Sequence, residues 1–105
     1  MITAVVNFPL AAGTTLDKAR EMFSATAPRY QSIEGLVRKY YLFNPETGVG
    51  GGCYLFEDRA SAEATFSPEW RAFIADRYGA DPDVRFFETP VVVDNSIGDI
   101  DIAAE

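Results

Sequence analysis

The sequence contains no histidine and only one cysteine, Cys53, among its 105 residues. Without histidine the chain cannot build a Ser-His-Asp or Cys-His catalytic group, and it lacks the commonest protein ligand of haem and transition metals. A lone cysteine cannot form an intramolecular disulfide, which is typical of proteins from a reducing compartment. We therefore expect a cytoplasmic protein that holds no metal.

Clusters of basic residues and long apolar runs are also missing. Lysine and arginine form no group that could neutralise a row of phosphates, so we expect no nucleic-acid partner. No apolar run approaches the roughly 20 residues that cross a bilayer, and the chain opens on a strand-like run without the basic region of a secretion signal. We therefore expect no association with a membrane.

The acidic charge of the chain is concentrated at its end. The formal net charge is −7, and a tail without lysine or arginine supplies four of the negative charges, from Asp94, Asp99, Asp101 and Glu105. The remainder of the chain is only mildly acidic. Its 48% hydrophobic and 24% charged residues are ordinary for one globular domain.

Strand-like and helix-like segments alternate along this domain. Apolar and β-branched residues predict a first strand over 2–8. Apolar side chains three or four residues apart then predict a helix that begins at Thr14 or Thr15 and buries one face. Pro28 cannot donate the helical hydrogen bond, so the helix should kink or end near it.

The second half of the chain repeats this pattern. Two strands, 36–43 and 52–57, are joined by a segment with turn chemistry and should form a hairpin. Asp58 and Ser67 are helix-start signals, the latter followed by proline and glutamate. A fourth strand is predicted over 84–93, interrupted by a proline that belongs near an edge or a bend.

The resulting order, β-α-β-β-α-β, is that of a ferredoxin-like α+β domain with an antiparallel sheet, which we assign to residues 1–95. Two helices cover only one face of such a sheet, yet the second strand carries large apolar groups on both sides. A second copy is the simplest cover, so we expect a homodimer. The acidic tail over 96–105 contains three isoleucines and should dock on its own or the partner subunit.

Several segments resemble a known family: Gly35-Leu36 followed by Lys39 and Tyr41, then Gly-Gly-Cys-Tyr-Leu-Phe over 51–56, then Glu-Asp-Arg-Ala-Ser-Ala over 57–62. The chain resembles the YdhR-like putative monooxygenases of the dimeric α+β barrel superfamily. The resemblance implies two subunits whose sheets join into a barrel, with one pocket per subunit between sheet and helices. It also implies cofactor-free oxygenation of electron-rich aromatic polyketides. Where relatives carry tryptophans beside the strand lysine, this chain has Arg38 and Tyr41, so its pocket should differ in shape.

Lys39 is the candidate catalytic residue. Inside a pocket, desolvation would lower its pKa and allow it to act as a base or to stabilise an anion; the alternative is an exposed lysine or an interfacial ion pair. The candidate substrate-binding residues are one polar and three aromatic side chains: Asn7, Tyr41, Tyr54 and Trp70. For Asn7 the alternative is a local hydrogen bond at the end of the first strand. For the three aromatic residues the alternative is plain core packing. Cys53 is expected to be a buried, inert thiol.

The leading functional hypothesis is a cofactor-independent monooxygenase-like protein that acts on a small aromatic or apolar molecule. No cofactor is expected: the glycines over 48–52 precede a strand, whereas a phosphate-binding loop precedes a helix. A non-catalytic dimeric module for a small molecule or a protein is the alternative, because the same pocket without a competent base only binds. An isomerase or lyase on a related pocket is a third hypothesis.

Overall fold

A four-stranded antiparallel sheet forms the centre of the computed structural model, which describes residues 1–102. Its strands run side by side in the order β2-β3-β1-β4. Their bounds are β1 (Ile2–Pro9), β2 (Leu36–Asn44), β3 (Val49–Phe56) and β4 (Asp83–Glu88). The predicted ferredoxin-like α+β fold is confirmed, since two central strands, β1 and β3, are flanked by β4 and β2 in the order that this fold requires.

Helices cover one face of the sheet. The three helices and one 3₁₀ turn are α1 (Leu16–Thr26), the turn Ala27–Tyr30, α2 (Arg59–Thr65) and α3 (Pro68–Tyr78). Thr15, Asp58 and Ser67 begin the helices, and each side chain accepts a hydrogen bond from the backbone N–H three residues later, at 2.8–3.1 Å. The chain leaves α1 for the 3₁₀ turn at Pro28, as predicted. Within residues 1–102, none of the helices has the length and apolar character needed to span a membrane.

The main core lies between the sheet and the helices. Along β1 the even-numbered side chains are buried, whereas the odd-numbered ones are half-buried or, at Pro9, exposed, because successive residues of a strand point to opposite faces. The buried apolar residues of the sheet and helices form one cluster, and they include Ile2, Val6, Phe23, Tyr30, Tyr54, Phe56, Phe66, Trp70 and Ile74. The opposite face of the sheet, here called the open face, carries no helix among residues 1–102.

The fourth strand expected over 84–93, with its interruption at Pro90, is two separate strands. The chain forms β4 in the main sheet and then β5 (Val91–Asp94) in a separate two-stranded sheet. The break falls at Thr89 and Pro90: the Thr89 N–H donates to the carbonyl of Met1, its hydroxyl bonds that of Thr3 at 2.5 Å, and proline has no N–H to continue a ladder.

The predicted tail begins inside the turn of the hairpin that follows. Residues 99–102 form β6 (Asp99–Ile102), which pairs antiparallel with β5, while residues 103–105 lie outside the described range. Arg38 of β2 forms an ion pair with Asp94 at 3.1 Å and so links this hairpin to the main sheet. All four residues of β6 are exposed, so docking of the tail on a partner subunit stays a prediction.

Candidate functional site

The amine of Lys39 lies among three tyrosine rings on the helix side of the edge strand β2. Its Nζ atom is 3.3 Å from the centre of the Tyr30 ring, 3.7 Å from that of Tyr41 and 4.6 Å from that of Tyr54. Tyr41 is two residues along the same strand, Tyr54 is the cross-strand partner of Lys39 on β3, and Tyr30 comes from the 3₁₀ turn. We call these three residues the tyrosine cage.

A glycine on β3 makes room for the lysine side chain. Gly52 is paired with Tyr41, beside the pair formed by Lys39 and Tyr54. A methyl group at position 52 would lie 3.1 Å from Cε of Lys39 and 2.9 Å from Cε1 of Tyr54, closer than side chains normally approach. The lysine stem therefore uses space that a side chain at residue 52 would take.

Hydrogen bonds hold two rings of the tyrosine cage in place. The indole N–H of Trp70 donates to the hydroxyl of Tyr30 at 3.0 Å inside the core. The hydroxyl of Thr26 donates to the carbonyl of Phe23 at 3.1 Å, so its oxygen accepts the hydroxyl proton of Tyr41 at 2.9 Å. Because each ring is fixed through its hydroxyl, the faces that meet Lys39 keep their orientation.

Burial, together with the positive charge of Arg29, lowers the pKa of Lys39 to about 6. The ring faces act in the opposite direction, because the quadrupole of an aromatic face attracts a cation. A desolvated contact of this kind contributes about 2 kcal/mol, which offsets only part of so large a downward shift. The amine is therefore more acidic than an ordinary lysine, and its neutral form is accessible at physiological pH.

Burial shifts the pKa of two phenols of the tyrosine cage in the other direction. Burial raises the pKa of Tyr41 to about 12 and also raises the pKa of Tyr54. Both side chains therefore remain protonated at neutral pH, where they can form hydrogen bonds but cannot accept a proton as a base. Unlike Tyr41 and Tyr54, Lys39 is suited to general-base chemistry near neutrality.

Two spaces meet at the tyrosine cage. The inner cavity, of about 10 Å³, lies between the cage and α3 and is bordered also by Phe73 and Tyr78. The outer cleft, of about 400 Å³, lies between the 3₁₀ turn and β2. Lys39, Tyr30 and Tyr41 line both spaces. Only the outer cleft is large enough for an organic ligand, since such pockets are typically 300–1,000 Å³.

The charged groups around this site are basic. Arg38 borders the outer cleft, and none of the described residues lining the cleft or the inner cavity is a carboxylate. Within residues 1–102, no three His, Cys, Asp or Glu side chains come together in a group that could hold a metal ion. The site thus favours a neutral ligand that becomes an anion over a ligand that is a cation.

The structure brings three of the five predicted site residues together: Lys39, Tyr41 and Tyr54. Trp70 lies behind the cage and reaches it through Tyr30. Asn7 is on the open face, where it borders a different cleft between β1 and the end of β2. Its odd position in β1 places its side chain opposite the buried, even-numbered residues.

Sequence reasoning missed Tyr30 and Thr26 as site residues. In the sequence Tyr30 continues the apolar spacing of the first helix, which predicts only core packing, and its ring is indeed buried in the core. The 3₁₀ turn that begins after Thr26 sets the direction in which the ring points, and this cannot be read from apolar spacing. The only available signal was Pro28, which marked where the helical spacing would fail.

Comparison with protein families gives one match, to the family described as "Putative mono-oxygenase ydhR", over residues 4–88. The match spans about four-fifths of the chain and includes all four strands of the main sheet except the first two residues of β1. The chain belongs to this YdhR monooxygenase family. No protein with a curated function matches the sequence.

Three solved structures share the fold of this YdhR-family chain. A Streptomyces coelicolor monooxygenase from the gene ActVA-Orf6, in complex with nanaomycin D, superposes with a TM-score of 0.65 at 18% identity, over 84% of this chain and 86% of that one. A Deinococcus radiodurans protein described as a putative antibiotic biosynthesis monooxygenase superposes with a TM-score of 0.66 at 11% identity, over 90% of this chain and 97% of that one. SnoaB from Streptomyces nogalater, a cofactor-independent oxygenase solved as a point mutant, superposes with a TM-score of 0.60 at 16% identity, over 84% of this chain and 91% of that one. At these identities the likeness establishes the fold.

Proposed function

We propose that this YdhR-family protein is a cofactor-independent monooxygenase for a small, electron-rich aromatic molecule bound in the outer cleft between sheet and helices. The observation that carries the proposal is the amine of Lys39, held over the tyrosine cage with a pKa near 6 and bordering a cleft large enough for such a molecule. Family membership and the fold shared with oxygenases support the same reaction class.

The chemistry needs a base and a dry site. Neutral Lys39 takes the acidic proton of a phenol or an anthrone, and the resulting ammonium stays beside the substrate anion while the ring faces stabilise its charge. The electron-rich anion reduces O₂ and binds one of its oxygen atoms. For an anthrone, the reacting CH₂ becomes a C=O group and the second oxygen atom leaves as water, with Lys39 returning its proton.

The proposal includes a homodimer formed through the open faces of two copies. Three large apolar side chains on this face are 39–54% exposed: Tyr40, Leu42 and Phe87. A second copy fits this surface because stacked sheets bury such residues against each other, and a stable contact of this type exceeds about 2,000 Å² in total. Light scattering at micromolar concentration should give twice the mass of the chain, and a stable monomer would contradict the dimer.

Oxygen uptake tests the proposed activity. Wild-type protein in metal-free buffer is given a panel of anthrones and hydroquinones, and the rate is corrected for spontaneous oxidation. Lys39→Met, close in length and uncharged, should lose at least ~10²-fold in turnover, the low end of a general-base contribution. Lys18→Met is the matched control, because Lys18 is exposed on α1, where it pairs with Glu21 of the same helix.

The outcomes separate the competing functions. Equal rates in wild type and Lys39→Met would remove Lys39 from the mechanism. Binding of panel compounds without any enzyme-dependent oxygen uptake would favour the non-catalytic module. Conversion of a bound compound to an isomer or a cleavage product without oxygen uptake would favour the isomerase or lyase.

A further inference from the structure

Lys39 has the surroundings of a nucleophilic amine as well as those of a base. Its nitrogen contacts ring faces on three sides and forms no ion pair with another residue in the range 1–102. Since no carboxylate lines the spaces it borders, nothing there holds the amine in its charged form through a salt bridge. A lysine desolvated in an apolar pocket is the usual form of an amine that attacks carbonyl groups.

We propose that Lys39 captures small aromatic aldehydes in the outer cleft as covalent imines. The nitrogen lone pair adds to the aldehyde carbon, and the carbonyl oxygen takes up a proton to give a carbinolamine. Loss of that oxygen as water leaves a C=N bond between the substrate carbon and Nζ. No electrons are gained or lost overall, so the step needs no oxidant or reductant.

The outer cleft provides the space for the adduct. The inner cavity, at about 10 Å³, holds no more than a single small molecule such as water, whereas the outer cleft has about 400 Å³. Lys39 lines both spaces, and its four-carbon stem is flexible. The bound ring would then lie beside Tyr30 and Tyr41, which suits an aromatic aldehyde better than a sugar or a charged keto acid.

The second lysine of the chain provides an internal comparison. Lys18 and Lys39 are the only lysines, and Lys18 is exposed on α1, with 57% of its side-chain surface accessible. At pH 7 an amine with a pKa near 6 is mostly neutral, which favours Lys39 as the attacking nucleophile. Crowding and the lower basicity of Lys39 reduce this advantage. We therefore expect Lys39 to react with the aldehyde at least about tenfold faster than Lys18.

Reductive trapping tests the inference on the intact wild-type protein. The protein is incubated briefly at pH 7 with benzaldehyde and sodium cyanoborohydride, which reduces an imine to a stable benzylamine. Peptide mapping by mass spectrometry then measures the modification at Lys39, at Lys18 and at the amino terminus. Lys39 should be modified at least about tenfold faster than Lys18, and the difference should disappear in a urea-unfolded sample.

The result also separates this inference from the proposed oxygenase activity. Selective trapping at Lys39 without oxygen uptake would support aldehyde capture and contradict the oxygenase. Oxygen uptake without selective trapping at Lys39 would support the oxygenase and contradict aldehyde capture. Selective trapping by acetaldehyde alone would show that the aromatic ligand class is wrong. Equal or faster modification of Lys18 with both aldehydes in the folded protein would overturn the proposal, without relying on a variant that has to fold.

Discussion

Replacing Lys39 by methionine should stabilise the protein at pH 7 while removing the group that we assign to catalysis. The wild-type side chain is buried with a pKa of about 6, against an ordinary value of 10.5. At pH 7 the unfolded chain keeps the proton on Lys39, whereas the folded chain releases it. Burying this side chain therefore costs free energy of folding. Methionine is of similar length and carries no charge, so the variant does not bear this cost.

The sign and size of the effect follow from proton linkage. Between pH 6 and 10.5 the unfolded chain binds more protons at Lys39 than the folded chain does, so stability rises with pH by up to about 1.4 kcal/mol per unit. From pH 7 to pH 9 the contribution of Lys39 should therefore rise by about 2–3 kcal/mol. Above pH 10 the trend reverses, because unfolding lets Tyr41 and Tyr54 ionise more easily than in the fold.

Urea unfolding at pH 7, 8 and 9 measures this contribution. Trp70 is the only tryptophan and is buried, so its fluorescence reports on the core. Lys39→Met should unfold at higher urea concentration than wild type at pH 7, and the difference should shrink by about 2–3 kcal/mol at pH 9. Lys18→Met should follow wild type at each pH. Two results would refute the burial argument: a Lys39→Met variant less stable than wild type at pH 7, or a difference in unfolding free energy between the two proteins that is the same at all three pH values.

Three further predictions concern the supports of the site and the tail. A double-mutant cycle on Trp70→Phe and Tyr30→Phe should give a coupling of about 1 kcal/mol in unfolding free energy, from the buried hydrogen bond that joins them; additive effects would contradict it. Gly52→Ala should cost about 1–3 kcal/mol in urea unfolding and reduce Lys39 activity, because the new methyl group meets the lysine stem; an unchanged variant would show that the stem has another path. Deletion of residues 96–105 should lower the melting temperature and weaken dimerisation, since it removes β6 and its exposed isoleucines; unchanged values for both would refute docking of the tail.

Local patterns in the sequence were sufficient to predict the order of elements. The caps at Asp58 and Ser67 and the break at Pro28 act within a few residues, so their consequences can be read directly. The interruption of the fourth strand at Pro90 was predicted, but the transfer of residues 91–94 to a second sheet was not, because it depends on contacts distant in sequence, including those of Thr89 with Met1 and Thr3.

The site was harder to predict than the fold for the same reason. Lys39 and Tyr41 share a face by alternation alone, but only the packing of the helices decides that this face is the enclosed one. Asn7 lies on the opposite face because of the phase of β1 relative to the core, which a single polar residue in an apolar strand does not reveal. The position of Tyr30 depends on a tertiary hydrogen bond to Trp70, forty residues away.

The most direct test of cofactor-independent oxygenation through Lys39 is a single-turnover reaction under ¹⁸O₂ in metal-free buffer, with an anthrone as substrate. Mass spectrometry of the product measures the label gained by wild type, by Lys39→Met and by the exposed control Lys18→Met. We expect one ¹⁸O atom per product molecule for wild type and for Lys18→Met, and a rate at least ~10²-fold lower for Lys39→Met. An unlabelled product, or labelling at the same rate in all three proteins, would contradict it.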